Sequence, residues 1–280
     1  MFRIYDKNRN VIPFPDGVEP LDIFISSIGK DRVTDKLEGA SGSINYGSTY
    51  DTRSIELELL LKSKDTQDYR LLRDAVYAMF QKTDTLYVAE TYEPGKLYKI
   101  AVDDQFIPDR LPNNQRYADA QINCTMVNLP FASSIGTTQD IQLNGISTND
   151  ELWSFGMGLI TDDASLVYTH TVNSFRIYNA GNVPIHPFEQ ELKITISSVT
   201  GSSSFLQLQN TTNGSTFRVT GAVASSQVVE LNGANITMNG LQALRKTNRQ
   251  FITLDVGWND FKVTGALRSK IELDFRYHYL

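Results

Sequence analysis

Alternation of apolar and polar positions is the main pattern of the first sixty residues. In SIELELLL, residues 54–61, every odd position from 55 to 61 is apolar, and glutamates occupy positions 56 and 58. A period of two is typical of a strand that buries one face. FRIYD, residues 2–6, and LDIFISSI, residues 21–28, are similar short runs followed by turn residues. These segments predict a sheet in the first part of the chain.

The period then changes from two to between three and four. In residues 65–82 the apolar positions Tyr69, Leu72, Val76, Met79 and Phe80 recur at helical spacing, with aspartates at the start. This spacing predicts one long helix. TLYVAE, KLYKIAV and DAQINCTMVNL return to strand character, and the turn at residues 94–96 predicts a hairpin between the first two. The first domain is therefore expected to be mostly sheet with one helix.

A change of composition indicates where this domain ends. Residues 130–150 are rich in Ser, Thr, Gly and Asn, which is typical of a domain junction. We therefore predict a first domain over residues 1–135, a linker over 136–149 and a second domain over 150–280. The second half contains about ten short strand patterns separated by turn clusters, and regular spacing of this kind predicts a β-sandwich.

Two further patterns in the second half concern its strands. In IELDFRYHYL, residues 271–280, the five large apolar or aromatic side chains at odd positions share one face, and the polar side chains, His278 among them, share the other. FRVTGA, residues 217–222, is repeated as FKVTGA at residues 261–266 with one Arg-to-Lys difference. Six residues are too few for a module, so we interpret the repeat as two strands of one sandwich that end alike at Thr-Gly.

Composition and charge narrow the class of protein. Of 280 residues, 41% are hydrophobic and 21% charged, as in soluble globular proteins. There are 26 Lys and Arg against 32 Asp and Glu, and the resulting net charge of −6 argues against broad binding to nucleic-acid phosphates. The N-terminus lacks the apolar core of a signal peptide and no stretch is long enough to span a membrane, so synthesis in the cytosol and no membrane partner are expected.

Thiol and imidazole groups suggest no catalytic or metal site. The single cysteine, Cys124, has no intrachain disulfide partner, and His170, His186 and His278 lack the clustered spacing of zinc ligands. Cys124 lies within a strand pattern, so a buried or half-buried thiol is expected rather than a nucleophile. Surface positions are expected for His186, which is flanked by prolines, and for His278.

Other catalytic patterns are weak. Asp103–Asp104 and Asp162–Asp163 are adjacent acidic pairs in loop-like stretches, and solvated loop acids are the favoured interpretation. FGMGLIT, residues 155–161, stops short of the dinucleotide motif, and there is no phosphate-binding P-loop or G-x-S-x-G elbow. We therefore predict no catalytic, cofactor-binding or metal-binding residue, no cofactor and no enzymatic activity. The residues of any ring or partner interface are not identified by these patterns.

Aromatic side chains leave one binding function open. Trp153, Trp258 or Tyr168, if exposed on a sandwich, could stack on a sugar ring, although Trp258 beside Phe261 fits a packing role better. The residues thus favour a binding or structural component. The alternative is a lectin-like adhesin that binds host cell-wall polysaccharide, and a weaker one is a wall-degrading enzyme that uses loop carboxylates.

The order of motifs resembles the distal tail protein family, Dit, of siphophages that infect Gram-positive bacteria. The resemblance rests on GSINYGSTYDTRSIELELLLKSKDTQDYRLLRDAVYAMF, TLYVAETYEPGKLYKI and ADAQINCTMVNLPFA in the first half. In the second half it rests on FRIYNAGNVPIHP, ITISSVTGSSSFLQLQNTT and GWNDFKVTG followed by IELDFRYHYL. It covers nearly the whole chain. The fold it implies is mainly β: an N-terminal β-sandwich-like domain with one long α-helix, followed by a C-terminal galectin-like β-sandwich.

The resemblance also implies a function. Proteins of this family are structural hubs of the phage tail tip, without enzymatic activity, whose N-terminal domains form a hexameric ring. The implied partners are the major tail protein above, the tail-associated lysin or baseplate below and, in some phages, receptor-binding proteins; the tape-measure protein and DNA pass through the channel. The implied location is the distal end of the virion tail, after synthesis in the host cytoplasm. At 280 residues there is no room for an inserted carbohydrate-binding module.

Overall fold

The fold comes from a computed structural model that describes residues 1–39, 41–146, 152–162 and 164–280. Its contacts divide the chain into two compact units, the first comprising Met1–Ala132 with Leu280 and the second Ser133–Tyr279. Within the described ranges, no helix is both long and apolar enough to cross a bilayer.

Strands make up most of the first unit, as the alternating patterns predict. They are β1 (Phe2–Tyr5), β2 (Val11–Ile12), β3 (Val18–Ile25), β4 (Lys30–Asp35), β5 (Ile44–Tyr50), β6 (Ser54–Lys62), β7 (Leu86–Glu90), β8 (Lys96–Ala101), β9 (Asp109–Leu111) and β10 (Asn114–Met126). The predicted helix is α1 (Thr66–Gln81). The predicted hairpin is also present, because β7 and β8 pair in antiparallel fashion.

The main sheet of the first unit runs in the order β2-β1-β7-β8-β10-β6-β3, with β9 beside β10. It curls, since β1, second in this order, and β3, at its other end, still pack against each other. In β6 the four apolar side chains at odd positions from Ile55 to Leu61 are buried, while Glu56 and Glu58 are partly exposed. The one-sided burial predicted for this strand is therefore confirmed.

Helix α1 packs on this sheet through one apolar stripe. It begins after Asp65, whose side chain accepts hydrogen bonds from the amides of Gln67 and Asp68. These bonds satisfy backbone donors that have no partner inside the helix. Leu72, Val76 and Phe80 are buried along the stripe. The helix thus follows from the three-to-four spacing of its apolar positions.

The second unit also consists mainly of strands. Its elements are β11 (Ala132–Ser134), where the two units divide, α2 (Thr138–Asn144), β12 (Thr169–His170), β13 (Ser174–Asn179), β14 (Leu192–Thr200), β15 (Phe205–Asn210), β16 (Thr216–Thr220), β17 (Val229–Asn232), β18 (Asn235–Met238), β19 (Leu241–Gln242), a 3₁₀ turn (Leu244–Lys246), β20 (Gly257–Thr264), β21 (Arg268–Phe275) and β22 (His278–Tyr279).

Two sheets form the body of the second unit, with strand orders β12-β21-β14-β17-β18-β19 and β13-β20-β15-β16. Alternate side chains are buried along β14, β15 and β21, as expected for two sheets that pack face to face. The prediction of a mainly β chain, with one long helix in its first half, is confirmed.

The repeated sequence falls on two strands of the same sheet, as interpreted from the sequence. FRVTGA lies on β16 and FKVTGA on β20, and both strands pair with β15. Each copy buries its Phe and Val and exposes the cation between them. Each strand ends at its Thr, followed by a glycine with positive φ, +107° at Gly221 and +83° at Gly265. The repeat is therefore shared strand-and-turn chemistry.

Helix α2 lies inside the stretch predicted as the linker, residues 136–149, of which 147–149 fall outside the described residues. Thr137 and Asp140 form a capping box at its start. The Thr138 hydroxyl donates to the Leu273 carbonyl at 3.1 Å and accepts from the Phe275 amide at 3.1 Å. This helix is thus bound to β21 of the second unit. The sequence analysis did not identify it.

The last segment departs from the continuous strand that its alternation suggests. The five apolar or aromatic side chains are buried as expected, but β21 ends at Phe275, and the Tyr277 carbonyl accepts from the Ser134 amide instead. The expected surface position of His278 is wrong, because His278 is only 7% exposed. The chain beyond the break lies against Gly181, where an added Cβ would come within 2.6 Å of the His278 carbonyl oxygen.

Candidate assembly interface

A two-stranded ribbon, residues 30–50, stands apart from the main sheet of the first unit. Its strands β4 and β5 pair with each other and, within the described part of the chain, with no further strand. Every described residue of the ribbon is exposed. An isolated hairpin with no packed face is marginally stable in water, so its own contacts do not explain why this segment is extended.

The base of the ribbon is anchored to the first unit. The Asp51 amide donates to the Gly29 carbonyl at 2.9 Å, which continues the pairing beyond the strands. The Tyr50 ring packs edge-on against Phe131 with ring centroids 5.4 Å apart, and the Lys30 ammonium lies 5.4 Å from the centre of the same ring. The direction in which the ribbon leaves the sheet is therefore held by side chains at its base.

The rest of the ribbon exposes apolar side chains that a monomer would be expected to bury. Val33 is 59% exposed, Tyr46 65% and Leu37 58%. Both strands also present an open edge, and unpaired backbone N–H and C=O groups at such an edge favour pairing with another chain. Apolar side chains together with open edges mark a surface suited to cover by a partner. The ribbon is the candidate interface of this molecule.

The acidic pairs considered from the sequence do not form a catalytic arrangement. Asp103 and Asp104 are exposed, and Asp103 accepts a hydrogen bond from Thr125 at 3.3 Å. Asp162 is also exposed, and hydrogen bonds from Ser165 lower the pKa of its carboxyl group. Asp163 lies outside the described residues. The described members of both pairs are therefore the loop acids that the sequence favours.

The thiol and the imidazoles lie in different units. Cys124 is 1% exposed, in the first unit, and burial raises the pKa of its thiol to about 12, with a smaller contribution from the charge of Asp103. It is a buried thiol, as predicted. His170, His186 and His278 all belong to the second unit. Among the described residues, no group of three or more metal-ligating side chains is close enough to hold an ion.

His170 has a packing role and His186 lies at the surface. His170 stacks on the Phe175 ring at 4.5 Å between centroids, and burial lowers the pKa of the imidazole. His186 is exposed, as its position between prolines predicts. Neither forms part of a nucleophilic site with Cys124.

Two of the three aromatic residues considered for sugar stacking are buried, not exposed as that hypothesis requires. Trp153 is 5% exposed and Tyr168 is fully buried, where its hydroxyl bonds to that of Tyr277 at 2.5 Å. The idea that these two rings are exposed is therefore wrong. Trp258 is half-buried with the Arg176 guanidinium 4.5 Å from its ring centre, which fits the packing interpretation. An exposed ring that the sequence analysis missed is Phe188, at 58%.

Comparison with known proteins finds a match to one family model over part of the chain and a solved structure with a similar fold. Residues 16–126, which include the ribbon, match the model of the phage tail protein RIFT-related domain. No protein of curated function matches the chain. The crystal structure of Dit from phage SPP1, titled a paradigm of the hub adsorption apparatus in phages that infect Gram-positive bacteria, is similar with a TM-score of 0.68 and 11% identity over 100% of both chains.

A chain of the phage p2 baseplate in its activated conformation also matches, with a TM-score of 0.45 and 10% identity over 98% of this chain and 97% of that one. Its TM-score is too low to indicate more than a partial likeness. The resemblance to the distal tail family stated from the sequence is confirmed by the family match and the Dit fold. Residues 16–126 thus match the phage tail protein RIFT-related domain, and the whole chain is similar in fold to the hub protein Dit.

Proposed function

We propose that this protein is a non-enzymatic structural hub of a phage tail tip, and that copies of it join through the ribbon into a closed ring. The observation that carries the proposal is the exposure of every described residue from 30 to 50, on a hairpin with open edges and apolar side chains. The family match over residues 16–126 supports the tail assignment.

A ring requires that the ribbon of one copy contact a different surface on the next copy. Such head-to-tail contacts produce a closed ring when the rotation between copies closes, and a filament when it does not. A ribbon is suited to this contact because it can pair its edge with a neighbouring strand while its side chains occupy alternating positions. A hexamer is the ring size that the family resemblance implies, and we adopt it as part of the proposal.

The proposed partners follow from the place of a hub between the tail tube and the tip. The ring would join the major tail protein on one side and the tail-associated lysin or baseplate on the other. Receptor-binding proteins would attach at its periphery, and the tape-measure protein and DNA would pass through the channel. The second unit would project outward as a galectin-like sandwich, and the protein would reside at the distal end of the virion tail.

Ring formation through the ribbon can be tested by light scattering coupled to size exclusion and by negative-stain imaging. The wild type is expected to form rings as its concentration rises. Val33→Asp places a charge on the proposed interface and is expected to weaken assembly at least about 100-fold, equivalent to about 2.7 kcal/mol. Its melting temperature at low concentration should change little, because Val33 is 59% exposed in one chain.

The control is Leu241→Asp, an apolar position in the second unit that is 75% exposed, against 59% for Val33. It should assemble like the wild type. Wild-type protein that stays monomeric at high concentration, with no ring in imaging, would contradict the proposal. Rings that form equally well with Val33→Asp would remove the ribbon from the interface.

A further inference from the structure

The second unit carries an open concavity of about 310 Å³. The ribbon belongs to the first unit, so the two features are separate. Its lining combines three rings, those of His186, Phe188 and Phe251, with the polar side chains of Ser215, Thr216, Gln250 and Thr253. A concave site with an exposed ring and a few oriented polar groups is the usual form of a small-ligand site. No function described above uses it.

The aromatic wall of this concavity is held in place. The Phe188 ring packs edge-on against Phe251 with centroids 4.7 Å apart and lies 5.3 Å from the His186 ring. Phe188 nevertheless stays 58% exposed. A large apolar ring that is both fixed and exposed offers a flat surface without the entropic cost of ordering it on binding. The apolar face of a sugar ring fits such a surface.

The polar wall is held by a hydrogen-bond network. The Gln250 Oε1 atom accepts from the Thr216 hydroxyl at 2.7 Å and from the Asn248 side-chain Nδ2 at 2.9 Å. These two bonds fix the side-chain amide and leave its NH₂ group as a donor to a ligand. Sugar hydroxyl groups accept such a bond and can donate in return to the neighbouring polar side chains.

Several cationic side chains lie near the concavity, on and beside the edge strand β16. Arg218 is exposed on the face of β16 that carries Thr216, two residues further along the strand. The Arg218 backbone exchanges hydrogen bonds with Asn248, which brings the segment containing Arg245, Lys246 and Arg249 beside this strand. Residues 241–250 contain these three cations and no acid, in a chain of net charge −6.

These cations differ from others in the second unit because they have no acidic partner. Lys193, Lys270 and Arg276 each lie 2.9–3.2 Å from a glutamate oxygen. Arg218, Arg245, Lys246 and Arg249 have no carboxylate at that distance among the residues described. The Arg218 guanidinium lies over the Phe205 ring, 4.1 Å from its centre, and this contact leaves its charge unneutralised. Cations without acidic partners, grouped on one edge, create a positive potential that attracts an anionic group.

We propose that the concavity and this edge bind an anionic saccharide polymer, with a sugar ring on Phe188, a hydroxyl group at Gln250 and phosphate or carboxylate groups along Arg218 and Arg249. Glu189, exposed beside Phe188, suits a sugar hydroxyl rather than an anionic group, so the anionic groups lie on the Arg218 side. This role goes beyond the proposed ring hub, because it gives the second unit a ligand of its own.

The proposal can be tested by calorimetry of the full chain against four polymers. These are a glucosylated glycerol-phosphate polymer, polyglucuronate, uncharged dextran and polyglutamate. The two anionic saccharides distinguish phosphate from carboxylate as the recognised group. At least one of them should bind about tenfold or more tightly than dextran and polyglutamate, and the preference should decrease as salt screens the cations.

Variants separate the two halves of the site. Phe188→Ala should weaken saccharide binding at least about tenfold, whereas Phe155→Ala, which removes a 90% exposed ring elsewhere, should not. Arg249→Gln combined with Arg218→Gln should remove the preference for the charged saccharides, and the exposed Arg268→Gln should keep it. Circular dichroism checks that each variant is folded.

Three results would overturn the proposal. They are absence of binding to both anionic saccharides, binding that Phe188→Ala leaves unchanged, and equally tight binding of polyglutamate, which would indicate a surface for acidic proteins instead. Light scattering of the same samples reports ring formation separately. A loss of saccharide binding with intact rings, or the reverse, therefore distinguishes failure of this inference from failure of the proposed hub function.

Discussion

The ribbon β4–β5 and the hairpin β17–β18 are both antiparallel strand pairs, yet only one of them buries side chains. In the hairpin, Val229, Leu231, Ile236 and Met238 are buried. In the ribbon every described residue is exposed. Strand pairing alone therefore does not bury side chains; burial also requires a second layer that packs against the strands. For the ribbon, that layer has to come from another chain.

The largest expected difference between the two regions is in stability. Ile236→Ala in the hairpin removes a fully buried side chain and should lower the free energy of unfolding by about 2–5 kcal/mol. The same substitution at Ile44 in the ribbon, 43% exposed, should change it by less than about 0.5 kcal/mol in dilute monomer. Urea titrations followed by circular dichroism measure both. Equal losses would show that the ribbon packs within its own chain.

A second comparison concerns the glycines that follow the two repeated strands, Gly221 and Gly265, because the sequences before them are nearly identical. An alanine Cβ at Gly265 would lie 2.3 Å from the Phe205 carbonyl oxygen, whereas one at Gly221 would meet open space. Both glycines have positive φ, so each substitution to alanine should cost about 1–3 kcal/mol in backbone strain.

The contact with Phe205 should make Gly265→Ala more costly than Gly221→Ala by a further 1–3 kcal/mol or so. Thermal unfolding of the two single variants at equal concentration measures the difference. A larger loss from Gly221→Ala would mean that the turn after β16, rather than the one after β20, is the constrained one.

The smallest effect concerns the stacked histidine. Burial lowers the pKa of His170 below its ordinary value of 6.5, so the unfolded chain takes up a proton before the folded one does. The stability that neutral His170 contributes is complete above pH 6.5 and is lost as the pH falls through the folded-state pKa.

Between pH 7.5 and pH 5, the melting temperature of the wild type should therefore fall further than that of His170→Gln, by roughly a degree or two. His186→Gln removes an exposed imidazole and serves as the comparison. If the two variants follow the same pH profile, His170 is not the group responsible.

Sequence periodicity predicted the elements whose residues repeat a simple local rule. The alternation over residues 54–61 and the helical spacing over 65–82 correspond to β6 and α1. Helix α2 was missed, although Thr137 and Asp140 carry the spacing of a capping box. A seven-residue helix has too few apolar positions to show a period, so the cap was its only local signal.

Other features depend on contacts between distant parts of the chain. His278 follows the polar register of its strand, and it is buried because the chain changes partner after Phe275. No strand was predicted over residues 30–50, where apolar and polar positions do not alternate regularly, so the ribbon strands β4 and β5 were missed. The concavity brings together segments around residues 188, 215 and 250, and no short motif records that arrangement.

Burial of Cys124 has a practical consequence for labelling. The chain has one cysteine, and the buried thiol, with its pKa raised to about 12, is mostly protonated at the pH used for maleimide coupling. Since the thiolate is the reactive form, the native protein should label slowly. A cysteine introduced at Tyr46 on the ribbon and another at Leu244, an exposed position in the segment that carries Arg245 and Arg249, could each be labelled without removing the native one. Fluorescent or spin probes could then follow ring assembly and ligand binding separately in the same protein.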